Sequence, residues 1–170
     1  MFNNPLPLDN PSKVLEFLAY PSQVKTYLEL GVRCGKTFMS VSKCVDAAFA
    51  VDITFRELNI RRSDNMCFYE MSTDDFFKQN TNKFDLIFID ALHEYEQIKT
   101  DLLNSIKVLN ENGFIALHDV DPLRENLKVP EFCGDAYKIL KYIDERLKDY
   151  QFTVVHYDEA GVAILQKKLN

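Results

Sequence analysis

Two acid–histidine pairs carry most of the chemistry this sequence could do. Asp90 and His93 follow the apolar run FDLIFI, and His118 and Asp119 close the run FIAL. Asp90 and Asp119, with Asp121 close by, offer hard oxygen ligands of the kind that hold Mg2+ and lower the pKa of a bound hydroxyl. His118 can also ligate a metal, although imidazole is softer than Mg2+ favours; its other reading is a capping or core histidine. His93 could act as a general base with a near-neutral pKa, or simply cap the helix that opens beside Glu94. His156, in or beside the last hairpin, reads as surface. A third group lies upstream: Glu29 and Gly31 end a short strand, Gly35 follows, and Asp52 stands 21 residues beyond Gly31.

These residues need a scaffold that brings strand ends to one rim. The 170 residues suffice for a single domain over 1–170, with 1–20 as an N-terminal extension carrying a short helix. The formal charge of −6 is spread along the chain. No basic tract is dense enough for a phosphate backbone, so nucleic acid is not expected as a partner, and an acidic surface disfavours anionic membranes. The start, MFNNPLPLDNP, lacks the basic and apolar regions of a signal peptide. No apolar run reaches the ~18 residues of a spanning helix. Cys34, Cys44, Cys67 and Cys133 are scattered without a CxxC pair. They read as reduced thiols in a core, and the protein as cytoplasmic.

Apolar runs at 27–30, 48–53, 66–71, 84–90 and 114–119 read as strands. Period-3.6 stretches at 12–20, 36–47, 74–79, 94–109 and 131–148 read as helices. Ser12 or Asn10 caps the first helix, which Pro21 stops, and Thr73 caps the third. Gly113 suits a positive φ at the end of the fourth, and Phe132 belongs to the buried stripe of the last. The run at 84–90 is nearly unbroken, as in a strand covered on both faces. FTVVHY and GVAILQK are separated by DEA alone, too little for a crossover, so they form an antiparallel pair. The sum is an open α/β sheet with one antiparallel edge strand.

In such sheets ligands sit beyond the strand C-termini, which is where Glu29, Gly31, Asp52, Asp90, His118 and Asp119 fall. The turn GVRCGKT has one residue too few for a phosphate loop. Arg33 stands where a dinucleotide fingerprint needs its second glycine. What remains is a G-x-x-x-G turn preceded by an acid suited to an amine-bearing ligand, and a later acid placed for ribose hydroxyls.

With these residues in view, the chain resembles the class I S-adenosylmethionine-dependent methyltransferases. More narrowly, it resembles the small bacterial branch of sugar and natural-product O-methyltransferases that includes cephalosporin-hydroxylase-like proteins. The resemblance spans about residues 27–167, and its most specific piece is FDLIFIDALHEYEQIKTDLLNSIKVLNENGFIALHDV. It implies a Rossmann-like open seven-stranded sheet, mostly parallel with an antiparallel last strand, and helices on both faces. It also implies S-adenosyl-L-methionine across the first two strand ends and the acceptor above the fourth and fifth. Glu29 would then face the methionine amino end, and the backbone from Gly31 to Gly35 would line methionine and ribose. Asp52 would take the ribose hydroxyls, Ser72 and Thr73 would lie in the adenine-contacting loop, and Asp90 would close the methionine side. Relatives with sugar or catechol acceptors place a divalent metal on acids at positions like Asp90 and Asp119. They commonly carry two acidic or amide residues in tandem where this chain has His118-Asp119.

The reaction expected from the resemblance is O-methylation of a sugar or small-metabolite hydroxyl, with His93, Asp90 and His118 as catalytic candidates and Mg2+ as a candidate ion. Two other readings fit the same residues: a non-catalytic S-adenosylmethionine- or nucleoside-binding module, and a metal-assisted hydrolase using Asp90, His93, His118 and Asp119. The short leader and the loop 120–130 leave little lid. That suits a bulky or exposed acceptor, or a site completed by a second copy in a homo-oligomer.

Overall fold

The apolar runs assemble into one seven-stranded sheet in the computed structural model, which describes residues 11–20, 24–156 and 159–168. The strands are β1 (Thr26–Leu30), β2 (Ala47–Asp52), β3 (Met66–Glu70), β4 (Phe84–Ile89), β5 (Leu109–His118), β6 (Tyr150–Val155) and β7 (Val162–Lys167). Their order is β3-β2-β1-β4-β5-β7-β6. β1 to β5 are mutually parallel, and β7 runs antiparallel to both β5 and β6. The antiparallel strand is therefore interior, not the edge strand expected; β6 takes the edge.

The helices are α1 (Pro11–Ala19), α2 (Lys36–Val41), α3 (Thr73–Gln79), α4 (Tyr95–Val108) and α5 (Lys138–Arg146). They cover both faces, because alternate residues of each strand enter different cores. Leu28, Leu30, Ile87 and Ile89 pack with Ile98 and Leu102 of α4 and with Ile139 and Ile143 of α5. Tyr27, Leu86 and Phe88 pack with Leu15 of α1 and with Phe38 and Val41 of α2. Burial on both sides is what makes the β4 sequence continuously apolar. No helix among the described residues is long and apolar enough to cross a membrane.

Several boundaries differ from expectation for local reasons. α2 gives way to a 3-10 turn at Ser42–Cys44, because Ala47 and Ala48 are drawn into β2 beside β1. Ser72, not Thr73, caps α3, its hydroxyl accepting from Asp75 N at 3.1 Å. Asn112 (φ 65°), not Gly113, takes the left-handed conformation between α4 and the apolar part of β5. Gly113 is needed for space: a Cβ there would lie 2.9 Å from the Asp85 carbonyl oxygen. Residues 130–137 form turns instead of the first two turns of α5, so Phe132 is 56% exposed and not part of a buried stripe. None of the four cysteines forms a disulfide among the described residues, but only Cys133 is buried, while Cys44 and Cys67 are exposed. The leader through Asn10, the stop at Pro21 and the hairpin residues 157–158 lie outside the described residues.

Candidate active site at the strand C-termini

Hydrogen bonds that extend the parallel ladder set the level of the rim. Gly31 N donates to Val51 O (2.9 Å), Asp90 N to Leu30 O (2.8 Å) and Met71 N to Asp52 O (2.8 Å). Gly31, Asp52 and Asp90 thus end neighbouring strands side by side, where an open α/β sheet takes its ligands.

The first half of the rim is built on β1 and β2. Glu29 shares its strand face with Tyr27 two residues earlier, and both are buried. The Tyr27 hydroxyl donates to Glu29 Oε2 at 2.5 Å. Burial pushes the Glu29 carboxyl well above its usual range, a state that a cation brought against it would reverse. Tyr27 was not singled out from the sequence, although two-residue spacing along a strand is the signal that finds it.

Gly31 has φ 83°, and a Cβ on it would stand 2.2 Å from the Asp90 carbonyl oxygen. The missing side chain lets the first turn touch the end of β4, a requirement of the fold itself. Arg33 (φ 48°) and Gly35 (φ 79°) continue the turn in left-handed backbone. Asp52 Oδ2 accepts from the amides of Val32 and Arg33, each at 2.8 Å. The acid therefore shapes the turn, while its Oδ1 accepts from Thr54 N at 3.3 Å. Ser72 caps α3, and Thr73 Oγ1 accepts from Gln97 Nε2 at 3.2 Å. Gln97 also donates to Asp101 Oδ1 at 3.2 Å. Both side chains of the expected adenine loop are tied into α3 and α4.

The second half gathers Asp90, His93, His118 and Asp119 but not Asp121, whose carboxylate faces His156 instead. His93 Nε2 lies 2.9 Å from Asp119 Oδ2 and 3.8 Å from Asp90 Oδ1. His118 Nδ1 lies 3.0 Å from Asp90 Oδ1 and 3.2 Å from Asp119 Oδ2. His93 Nδ1 meets the carbonyl oxygen of Phe132. Cys133 Sγ donates to Asp119 Oδ1 at 3.4 Å; nothing in the sequence spacing pointed to that thiol. The segment carrying Phe132 and Cys133 is held against His93. Asp135 N donates to His93 O at 3.1 Å, Asp135 Oδ1 accepts from Tyr95 N at 2.6 Å, and a Cβ on Gly134 would lie 2.1 Å from His93 O. These contacts are why residues 130–137 cannot continue as helix.

The electrostatics of this half follow from its contacts. Hydrogen bonds to Asp119 and then Asp90 raise the His93 pKa from 6.5 to about 10. Burial opposes ionisation of Asp119, but hydrogen bonds from His118 and His93 more than offset it and hold the carboxyl well below its usual range. Both His93 nitrogens face acceptors, so the ring holds both protons at neutral pH. The free base expected from the sequence forms only when something else satisfies Asp119. Among the described residues, Asp90, His93 and Asp119 each offer one ligand atom, all within 4.8 Å of one another. His156 is exposed, with Nε2 3.1 Å from Asp121 Oδ2, as expected of a surface residue.

Comparison with known proteins matches residues 28–120 to a family described as "Methyltransferase domain". No curated protein sequence matches significantly. Among solved structures, cofactor-bound Rv0187 from MTB superposes with a TM-score of 0.76 at 16% identity, over 94% of this chain and 80% of that one. The O-methyltransferase from Bacillus cereus in complex with SAH gives 0.74 at 14%, covering 99% and 84%. The N-methyltransferase NodS from Bradyrhizobium japonicum in complex with S-adenosyl-L-homocysteine gives 0.70 at 15%, covering 99% and 90%. At these identities the structures share the fold with this chain.

Proposed function

Because the chain belongs to the methyltransferase-domain family, we propose that it transfers a methyl group from S-adenosylmethionine to a hydroxyl of a sugar or other small metabolite. The observation that carries this reading is the juxtaposition of two half-sites on one rim: an acid-bearing turn suited to an amino acid nucleoside, and beside it a carboxylate–histidine cluster suited to a hydroxyl.

The cofactor would lie across the ends of β1 and β2. Glu29, buried and ready to re-ionise, faces the methionine ammonium; Asp52 offers Oδ1 to the ribose hydroxyls while Oδ2 keeps the turn in shape. The backbone between Gly31 and Gly35 lines methionine and ribose. The N-terminus of α3, with Ser72 and Thr73, borders the adenine, and Asp90 closes the methionine side.

The acceptor would sit over β4 and β5. Its oxygen attacks the methyl carbon as the carbon–sulfur bond breaks, so the sulfonium leaves as a neutral thioether. The hydroxyl proton goes to the cluster of Asp90, His93 and Asp119. His118 pins both carboxylates, and His93 takes a proton only in its neutral form. A divalent ion on Asp90 and Asp119, Mg2+ among the candidates, would lower the hydroxyl pKa when bound. Leu92 and Phe132, at 49% and 56% exposure, offer apolar surface beside His93. Alignment of the acceptor oxygen with the sulfonium methyl is the main catalytic demand, since methyl transfer needs no covalent intermediate.

The test is calorimetric titration with S-adenosylhomocysteine, followed by methyl transfer from labelled S-adenosylmethionine to a panel of hydroxyl acceptors. Saturable binding with turnover is expected. Binding without turnover on any acceptor would make the chain a binding module, and absence of binding would remove the reading.

A further inference from the structure

We infer that Asp90, His93 and Asp119 form a three-donor divalent-cation site with one nitrogen ligand, selective for late first-row ions such as Zn2+, Co2+ or Ni2+ over Mg2+. The inference deepens the reading of this rim as the acceptor half-site and rests on it only for its role in catalysis. The sequence offered Asp90 and Asp119 first, with Asp121 and His118 as further ligands; the geometry selects His93 as the nitrogen donor and with it a different choice of ion.

Three observations support the site. The first is spacing. Metal–nitrogen and metal–oxygen bonds of about 2.1 Å place neighbouring donors about 3.0 Å apart at right angles and about 3.4 Å apart at tetrahedral angles. His93 Nε2 is 2.9 Å from Asp119 Oδ2 and 3.8 Å from Asp90 Oδ1, which brackets both values. The second is tautomer. A metal-binding imidazole almost always donates its other N–H to a carbonyl or carboxylate, and His93 Nδ1 faces the Phe132 carbonyl. That contact keeps the Nδ1 proton in place, so an ion that displaces the Nε2 proton meets a lone pair aimed between the two acids. The third is the outer support. His118 Nδ1 reaches both carboxylates and Cys133 Sγ reaches the other oxygen of Asp119, so the donor atoms are oriented before any ion arrives.

The choice of ion follows from the donors. Mg2+ prefers oxygen ligands in near-ideal octahedral geometry and dehydrates reluctantly. Imidazole suits Zn2+, Fe2+, Ni2+ and Cu2+. A set of one imidazole and two carboxylates with room for solvent or a substrate hydroxyl matches catalytic zinc sites in having three protein ligands and an open position, with one nitrogen donor where those sites have more nitrogen or sulfur.

The experiment uses the untagged full chain titrated with Co2+, read by visible d–d absorption, with Zn2+ and Mg2+ as competitors. One saturable cobalt site is expected, displaced by Zn2+ at far lower concentration than by Mg2+. His93→Ala should weaken cobalt binding at least about 10-fold, since even an outer-shell partner costs that much. Asp90→Asn provides a second ligand removal should the loop around His93 fail to fold in that variant, as judged by circular dichroism. His156→Ala, which removes the exposed pairing with Asp121, should change nothing. No saturable spectrum, or one that survives loss of His93 or Asp90 in a folded variant, overturns the site. Equal competition by Mg2+ and Zn2+ overturns the selectivity. Titration with S-adenosylhomocysteine in parallel separates the two readings: cobalt bound by a chain that ignores S-adenosylhomocysteine keeps the metal site and removes the methyltransferase reading, and the converse removes the site alone.

Discussion

The imidazole of His93 sits 2.9 Å from the Asp119 carboxylate and turns its other nitrogen to a backbone carbonyl, so in the free protein it is a cation locked to an anion. Asp119 has its folded pKa lowered below 3.8, so its contribution to stability is present above that value and is lost as pH falls through the folded one. His93 has its folded pKa raised from 6.5 to about 10, so its contribution is full below 6.5 and is lost as pH rises toward 10. The pair therefore stabilises most between those limits. Denaturant melts of wild type and His93→Gln should differ most near pH 5–6 and converge as pH approaches 10. A His93 ring resonance titrating at its ordinary midpoint would contradict the pairing.

Asp101 makes the opposite prediction. It is fully buried on α4, and burial raises its pKa from 3.8 to about 6 against the hydrogen bonds from Thr73 and Gln97. An acid whose folded pKa is raised favours the native state below pH 3.8, and that advantage is lost as pH rises through about 6. Its Oδ2 and the Ser105 hydroxyl have no hydrogen-bond partner among the described residues, so an amide can replace the carboxyl without losing a contact there. Asp101→Asn should match wild type near pH 4 and be more stable at pH 8 by on the order of 2 kcal/mol. Equal stability at pH 8 would show that solvent reaches the carboxylate.

Gly31 and Gly35 should respond differently to an added methyl group. At Gly31 the new carbon meets backbone, 2.2 Å from Asp90 O; at Gly35 it meets the ends of the Ile60 and Leu58 side chains at 2.7 Å. Gly31→Ala should lose most of its folded population. Gly35→Ala should keep its fold at a cost of about 1–2 kcal/mol for the left-handed backbone. Thermal melts decide this, and an intact melt for Gly31→Ala would mean that β1 and β4 can separate at the rim.

Asp52→Ala should lower both melting temperature and cofactor affinity, because one carboxylate holds two turn amides and, in the function proposed above, also takes the ribose hydroxyls. The two amide bonds predict about 2–3 kcal/mol of stability. Asp52→Asn, which keeps an acceptor for the turn, should recover more of the stability than of the affinity for S-adenosylhomocysteine. Affinity unchanged in both variants would remove Asp52 from the cofactor site.

At the opposite end of the sheet, Asp85 should matter for folding alone. Its Oδ2 accepts from Lys25 N, Thr26 N and Thr26 Oγ1, each at 2.9 Å, and Oδ1 accepts from Asn110 at 2.7 Å. Asp85→Ala should cost about 2–3 kcal/mol and leave ligand binding intact once the chain is folded.

Much of this architecture was legible in the residues because strand burial and strand ends follow local patterns. FDLIFID announces a doubly covered strand, and the acids and glycines after the apolar runs fall on the rim. The order of the strands made Asp90, His93, His118 and Asp119 neighbours, and short apolar runs do convey that they are adjacent strand ends. What the residues could not convey is the wrapping of 130–137 around His93. The period-3.6 pattern there predicts helix, and only long-range bonds from Asp135 to His93 and Tyr95 override it. The near-neutral base read at His93 was altered by the same means, since its pKa is set by Asp119, 26 positions away in sequence and 2.9 Å away in space.

The placement of β7 between β5 and β6 governs the order in which the chain can be completed. As synthesis proceeds from the N-terminus, β1 to β5 can pair in turn, but the far side of β5 presents unpaired amides and carbonyls until residues 162–167 emerge. β6 is made first, yet its described ladder is with β7 alone, so it waits for that strand. During that interval β5, with Ile115, Ala116 and Leu117 along it, is an open template for a strand from another molecule. A nascent chain stalled before β7 is thus the species to capture with a chaperone, and β7, made after both of its neighbours, is the strand that seals β5.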